Sequence, residues 1–214
     1  MMPISLFYFR TISSKKSEIV SLALLVILIS NCSTVPPIAS TADWQQQRAI
    51  QEELRDWMLR GRVNVQYENE SHTPRIQWHQ RDKGYNIRLW GTFNAGNTRI
   101  IGQRGDVTME HDGKVFKANS PEDLILQQLG YELPVSYLEY WVRGMPAPNS
   151  RADFTLNEQN QLSQINQDGW TINYKDHRQY GNFILPRRVE VTRPRNDIRL
   201  RFVSLTWNLD LAAD

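Results

Sequence analysis

The chain has 214 residues and one cysteine, and its 25 Lys and Arg against 23 Asp and Glu give a formal net charge of +2. Residues 1–31 carry that excess through Arg10, Lys15, Lys16 and Glu18, so the rest is neutral, which excludes nucleic acid as the main partner and argues against a membrane binder held by charge alone. The length fits one domain, and a single cysteine excludes an internal disulfide and is too few for a zinc or iron–sulfur site.

An apolar run at residues 19–29 follows the positive flank at the start of the chain. This arrangement is typical of an export signal, and the run is too short for the roughly 20 residues of a membrane-spanning helix. The segment 29–32 resembles a bacterial lipobox, with Asn31 where Gly or Ala is usual. The resemblance implies a diacylglycerol on the thiol of Cys32, removal of residues 1–31, and release to the outer membrane permitted by Ser33. The alternative is an ordinary signal peptide beside a chance cysteine.

Beyond Cys32 the sequence predicts a tether, a helix and then strands. Two prolines and small polar residues disfavour packing at 33–41. Apolar side chains at helical spacing predict a helix over 44–58. After Gly61 the apolar residues alternate, which predicts strands. We therefore divide the chain into a signal peptide (1–31), an acylated cysteine with its tether (32–43) and one domain (44–214).

Later elements have clear boundary signals. A hairpin turn is predicted at 111–113. Ser120 as N-cap followed by Pro121 predicts a helix over 120–129, ended by Gly130. A second helix is predicted over 135–143. Alternation then predicts strands to the end of the chain, and its change of phase near Val203 predicts a β-bulge.

The pattern as a whole predicts a mainly β fold of about ten strands with a few short helices. Alternation makes one face of the sheet apolar, and a single sheet of that many strands tends to curl. The apolar face must be covered. The three predicted helices are the available covers.

Several motifs are similar to those of the LolB family, the outer-membrane receptor for lipoproteins. They are Leu-Pro at 133–134, Leu-Glu-Tyr-Trp-Val-Arg-Gly-Met-Pro at 138–146, Gln-Asp-Gly-Trp-Thr-Ile-Asn-Tyr at 167–174, Leu-Pro at 185–186 and a tryptophan near the end at Trp207. Together with the lipobox they span nearly the whole chain after residue 31, in order.

The resemblance implies an incomplete, half-open antiparallel β-barrel of about ten to eleven strands covered by a helical lid. It implies a cavity that takes lipoprotein acyl chains, and a monomer on the periplasmic face of the outer membrane, anchored through Cys32. The periplasmic carrier LolA would deliver the acylated cargo, which would then enter outer-membrane lipid. No cofactor and no metal are implied.

The resemblance also implies a loop that helps to place cargo into the membrane. The matching stretch is 90–97, and Phe93 would hold the projecting position. An exposed phenylalanine is stable there because a bilayer interface removes its ring from water. The alternative is that Phe93 folds back onto the sheet.

Apolar residues at alternating strand positions and on the lid helices are the candidates for the cavity wall, although any one residue of this kind is more often packed core than ligand wall. The candidates are Val65, Trp78, Leu89, Ile100, Trp170, Ile172 and Leu200 on strands, and Leu124, Leu138 and Trp141 on helices.

Two other classes of function compete with a receptor. An enzyme is disfavoured because the four histidines are scattered, with neither a His-Glu-x-x-His nor a G-x-S-x-G motif. Asp176 and His177 look like a dyad, but sequence neighbours on a strand do not share a face. A lipid-anchored structural or assembly-factor subunit would bury the same apolar residues against a protein partner, and it would have no empty cavity.

Overall fold

The computed structural model describes residues 41–91, 97–103 and 105–209. The predicted export signal, Cys32 and Phe93 lie outside the described residues, as does the tether before Thr41. None of the helices within these ranges has the length and apolar character needed to cross a bilayer.

Three α-helices, one sheet and a short 3₁₀ helix (Pro194–Asn196) make up the described part. The helices are α1 (Thr41–Glu52), α2 (Pro121–Leu129) and α3 (Val135–Trp141). The first strands are β1 (Asp56–Tyr67), β2 (Glu70–His72), β3 (Arg75–Arg81), β4 (Gly84–Trp90), β5 (Thr98–Gln103), β6 (Asp106–His111) and β7 (Lys114–Ala118). After α3 come β8 (Ala152–Leu156), β9 (Leu162–Gln167), β10 (Trp170–Tyr180), β11 (Phe183–Arg193) and β12 (Ile198–Asn208).

Neighbouring strands pair antiparallel in the order β7-β6-β5-β4-β3-β1-β12-β11-β10-β9-β8, and the short β2 pairs with β1. The described residues therefore form one open sheet of twelve strands, which confirms the mainly β, half-open antiparallel fold. Sequence pattern alone predicted about ten strands, because the three-residue β2 is too short and too exposed to show an alternating pattern.

The helix predicted over 44–58 is wrong beyond Glu52. Residues Trp57 and Leu59 lie in β1 and are fully buried, whereas Asp56 and Arg60 are exposed. The spacing of the apolar residues here fits a helix as well as a strand. The strand forms because β1 pairs with both β3 and β12 at the centre of the sheet, and Trp57 contacts the rings of Trp78 and Trp207, each with centroids 5.3 Å away.

The boundaries predicted for α2 are confirmed. Ser120 Oγ accepts a hydrogen bond from the Asp123 backbone N–H at 3.0 Å, and Gly130 ends the helix with φ of 77°. The second predicted helix ends two residues early, at Trp141, and continues as a turn to Gly144. Glu122 of α2 accepts from the Ser136 N–H at 2.7 Å, which joins α2 to α3.

The helices cover the apolar inner face of the sheet and share one hydrophobic core with it. This core runs from Trp44 to Trp207 and includes Leu124, Leu138 and Trp141 from the helices. Residues Ile38–Asp214 form a compact unit by their own contacts. A chain that begins at residue 33 therefore contains the whole core and sheet, and we expect it to fold.

The predicted bulge is present where β12 pairs with β1. Arg60 pairs with Thr206 but Arg62 pairs with Val203, so β12 contains one more residue than β1 between these pairs. Ser204 takes a positive φ of 54°. Gly61 lies opposite the bulge, where a Cβ would come 2.7 Å from Leu205 Cδ2 and 2.9 Å from the Val203 carbonyl oxygen.

Replacing Gly61 with alanine should lower the free energy of unfolding by about 1–3 kcal/mol, because the Val203 carbonyl belongs to the backbone and must shift. Gly84→Ala is the matched control, since its Cβ would come no closer than 3.6 Å to the Arg81 carbonyl oxygen. Chemical denaturation of both variants measures the difference. Equal stability of the Gly61 and Gly84 variants would show that the backbone at the bulge can shift with no loss in the free energy of unfolding.

Candidate functional site

A cavity of about 610 Å³ lies between α3, the β3–β4 hairpin and the turn that follows α3. Its floor is apolar and buried. The floor residues are Leu54, Trp78, Ile87, Val135 and Met145. They come from five separate segments, so the cavity exists only once α3 is packed over the sheet.

Charged residues surround the apolar floor. Glu52, Arg55, Asp82 and Lys83 line the cavity and are all exposed. Arg55 Nη1 lies 3.6 Å from Asp82 Oδ1. The cavity therefore has a charged rim over an apolar floor, as expected for a ligand with an apolar tail and a polar end.

Arg143 lines the cavity from the turn after α3 and joins that turn to the end of α1. Its side chain is only 4% exposed. Nη1 donates to the carbonyl oxygens of Gln51 at 3.2 Å and Leu54 at 2.7 Å, and Nε donates to the Glu139 carbonyl at 3.0 Å. The carbonyl groups at a helix end have no partner within the helix. The guanidinium adds a donor there, beside the Leu54 N–H that also bonds the Gln51 carbonyl at 3.2 Å, and it fixes Leu54 in the cavity floor.

Glu139 partners Arg143 across 3.7 Å. Burial lowers the pKa of Arg143, and the Glu139 charge acts in the opposite direction. Burial also raises the pKa of Glu139, against the effect of Arg143. In this poorly solvated position, each side chain is stabilised in its charged form by the opposite charge of the other.

Two tyrosines close the cavity at its sides. Burial raises the pKa of Tyr85 far above its usual range, and its ring covers Gly102, where a Cβ would collide with the phenol. Burial also raises the pKa of Tyr137, with Asp168 adding to the effect. The Tyr137 ring meets Trp141 edge-on with centroids 5.4 Å apart.

Gln167 of β9 holds α3 in place. Its Oε1 accepts from Trp141 Nε1 and from the Ala147 N–H, both at 2.9 Å. Its Nε2 donates to the carbonyl oxygens of Ala147 at 2.8 Å and Ser150 at 3.3 Å. One buried amide thus fixes both the lid helix and the loop after it.

The structure places only Trp78 of the ten cavity candidates in this wall. Val65 and Leu89 are half-buried against the core, and Leu89 also borders a groove on the outer face. The other seven are packed in the hydrophobic core: Ile100, Leu124, Leu138, Trp141, Trp170, Ile172 and Leu200. Their contact with cargo stays a prediction, one that would require the lid to move.

Sequence reasoning missed four of the five floor residues. Ile87 alternates with Leu89 on β4 and so was within reach of the period-two pattern. Leu54 was assigned to a helix that ends before it. Val135 was placed on the correct helix but not in the cavity, and Met145 follows the helix in a turn.

The Asp176–His177 pair does not behave as a dyad. Asp176 pairs with Arg187 at 3.5 Å and Arg178 at 3.9 Å. Burial lowers the pKa of His177, which packs near the Tyr174 ring. Among the described residues no three His, Cys, Asp or Glu side chains converge as metal ligands.

A family model described as "Outer membrane lipoprotein LolB" matches residues 55–207. The chain belongs to the LolB family. "Outer-membrane lipoprotein LolB" of Stutzerimonas stutzeri is 34% identical over 190 residues, 86% of this chain and 91% of that one. "Outer-membrane lipoprotein LolB" of Chromohalobacter salexigens is 36% identical over 189 residues, 86% of this chain and 87% of that one.

Among solved structures, a DUF1329 family protein from Desulfovibrio piger shares the fold. Its TM-score is 0.52 at 8% sequence identity, over 83% of this chain and 95% of that chain. The LolB membership matches the family indicated by the motifs at 133–146 and 167–174, both of which lie inside the matched range. Met145 of the first motif is in the cavity floor, and Arg143 of the same motif secures it.

Proposed function

We propose that this LolB family member is an outer-membrane lipoprotein receptor, which accepts acylated lipoproteins in a hydrophobic cavity and passes them to the membrane. The observation that carries the proposal is the cavity of about 610 Å³ with an apolar floor beneath α3. An assembly subunit that buried its apolar face against a partner would have no use for such a space. The activity is binding and transfer, with no covalent bond made or broken.

The energetics require that acyl chains never enter water. Each methylene contributes about 0.8 kcal/mol when it is buried, so a released chain would be strongly bound by any apolar surface. The sequence contains no G-x-x-x-x-G-K-[ST] loop for nucleotide phosphates. We therefore assign a downhill series, in which the receptor binds cargo more tightly than the carrier does and the bilayer binds it most tightly.

The downhill transfer of cargo also implies a carrier that delivers it and a membrane that receives it. Cargo arrives on a periplasmic carrier of the LolA type, and the receptor acts as a monomer on the periplasmic face of the outer membrane. Acylated Cys32 anchors it there, and two or more acyl chains hold a protein far more firmly than one.

Transfer from carrier to receptor tests the proposal directly. The chain from residue 33 onward is mixed with carrier loaded with acylated lipoprotein, and the two are separated. We expect cargo to move to the receptor. Retention of cargo by the carrier, with a stable complex between carrier and receptor, would instead support the assembly-subunit function.

Phe93→Glu should separate acceptance from delivery. We propose that Phe93 enters the bilayer, because the stretch 90–97 matches the family's insertion loop. A carboxylate at that place should leave uptake from the carrier unchanged and reduce delivery to liposomes by about tenfold, the effect of about 1.4 kcal/mol. Phe93→Leu is the control and should deliver normally. Normal delivery by the Phe93→Glu variant would remove Phe93 from the insertion step.

A further inference from the structure

The outer face of the sheet carries like charges in direct opposition. Arg62 of β1 lies opposite Arg75 of β3, and Arg88 of β4 lies opposite Arg99 of β5. All four side chains are exposed. Like charges directly opposite each other destabilise a sheet, so folding alone does not account for their placement.

These arginines contrast with others on the same face. Arg199 and Arg201 of β12 both pair with Glu190, at 3.3 Å and 3.9 Å. No carboxylate in the part of the chain that the structure describes forms an ion pair with Arg88 or Arg99, although Glu110 lies opposite Arg99 in the register. The neutrality of the chain after residue 31 thus conceals a local excess of positive charge.

A groove of about 440 Å³ lies at this point of the outer face. Arg88, Arg99, Trp90 and His79 line it, with Glu110 at its β6 side. Arg99 Nε donates to Asn86 Oδ1 at 3.3 Å. The Nε2 atom of His79 is buried and has no hydrogen-bond partner among the described residues. The groove therefore offers two exposed guanidinium groups to a ligand, whereas the buried His79 nitrogen is not accessible from it.

The groove adjoins the connection that carries Phe93. Trp90 is the last residue of β4 and Thr98 is the first of β5, so the groove begins where that loop leaves the sheet. Tryptophan favours the interface between lipid and water, and Trp90 is half-exposed here. A loop that enters the bilayer would bring this face to the headgroups.

The geometry points to a binding site for anionic phospholipid headgroups in this groove, an inference that rests on the proposed function for its orientation to the membrane. Arg88 and Arg99 donate to phosphate oxygens, which guanidinium groups bind through paired hydrogen bonds. Trp90 lies at the acyl boundary. The site holds the receptor in the orientation that keeps its insertion loop in the membrane.

Vesicle binding by the cargo-free chain from residue 33 onward tests the site. The parent should bind vesicles of phosphatidylcholine with phosphatidylglycerol more tightly than phosphatidylcholine alone, and less tightly as salt rises. The double variant Arg88→Gln/Arg99→Gln should bind the anionic vesicles about 25-fold more weakly, since each basic residue contributes about fivefold, or about 1 kcal/mol. Its melting temperature should equal or exceed the parent's, because a repulsive pair is removed.

Lys175→Gln/Arg188→Gln is the matched control. These residues also face each other directly, on β10 and β11, and the variant loses the same charge. Four strand spacings, about 19 Å, separate β11 from β4, more than twice the Debye length of about 8 Å. The control should therefore bind anionic vesicles within about twofold of the parent.

Three results would overturn the headgroup site. Equal losses in both double variants would indicate diffuse attraction, and no loss in either would exclude a role for these arginines. Unchanged vesicle binding with slower cargo uptake in Arg88→Gln/Arg99→Gln would assign the face to a carrier protein. No cargo is present in the vesicle experiment, so a failure of cargo transfer would overturn the receptor function and leave this result to stand separately.

Discussion

Replacing Arg143 with methionine is expected to lower the free energy of unfolding by about 3 kcal/mol, the scale on which breaking a buried ion pair destabilises a protein. Methionine keeps the apolar stem of the side chain but donates no hydrogen bond. The Leu54 carbonyl oxygen loses the guanidinium donor, the Gln51 carbonyl oxygen keeps only its bond from the Leu54 N–H at 3.2 Å, and Glu139 remains in a poorly solvated position without its partner.

Arg178→Met is the matched control. Its side chain is 61% exposed and lies 3.9 Å from Asp176, and exposed pairs contribute about 0–1 kcal/mol. Denaturation of both variants at neutral pH measures the difference. Equal loss in the two variants would show that the bonds of Arg143 to α1 do not stabilise the fold.

The Arg143→Met deficit should also depend on pH. Burial already raises the pKa of Glu139, and Arg143 opposes that rise, so its removal should raise the pKa further. A carboxyl group whose folded pKa lies above its unfolded value contributes stability below the unfolded pKa and loses it as pH rises through the folded pKa. The deficit should therefore shrink as the pH falls toward about 4.3, the ordinary value for glutamate, and Arg143→Met/Glu139→Gln should recover part of it at neutral pH.

Gln167→Leu should lower the free energy of unfolding by about 3 kcal/mol, because each buried polar group left unpaired costs about 1–3 kcal/mol. The substitution preserves volume but removes the partner of Trp141 Nε1 and of the Ala147 N–H and carbonyl. Gln167 is only 2% exposed, so water does not replace these bonds in the packed structure. Hydrogen exchange should accelerate at Ala147 and in α3.

Gln164→Leu on the same strand controls for the loss of an amide. Gln164 is half-buried and bonds Asn173 and Asn166 on the wet face of the sheet, where solvent can replace the side chain. The Gln164→Leu substitution should change the free energy of unfolding by no more than about 0.5 kcal/mol. If Gln167→Leu lowers the free energy of unfolding no more than Gln164→Leu does, apolar packing holds the lid helix in place and this amide does not.

The sequence predicted those elements that are determined by residues close to one another in the chain. Ser120 and Gly130 bound α2 as their side-chain and backbone preferences require. The turn at 111–113 places Asp112 and Gly113 at positive φ, as a tight hairpin demands. The bulge near Val203 was visible because it reverses the alternation of buried residues in β12.

The sequence did not predict features that depend on contacts between residues far apart in the chain. The end of α1 depends on Arg143, which is 89 residues from Leu54 in the chain. The apolar pattern also cannot separate cavity wall from packed core. Trp78 and Trp170 both lie at inward strand positions, yet only Trp78 meets the cavity, because α3 leaves space above β3.

The central claim is that cargo acyl chains enter the cavity beneath α3, and site-specific photo-crosslinking tests it most directly. A benzophenone amino acid replaces Tyr137, which lines the cavity, or Val115, which is 60% exposed on the outer edge strand. Each protein is then offered carrier loaded with lipoprotein that bears radiolabelled acyl chains. We predict crosslinks to the acyl chains from position 137 and none from position 115. Equal labelling at both positions, or none at 137 while cargo is accepted, would contradict the account.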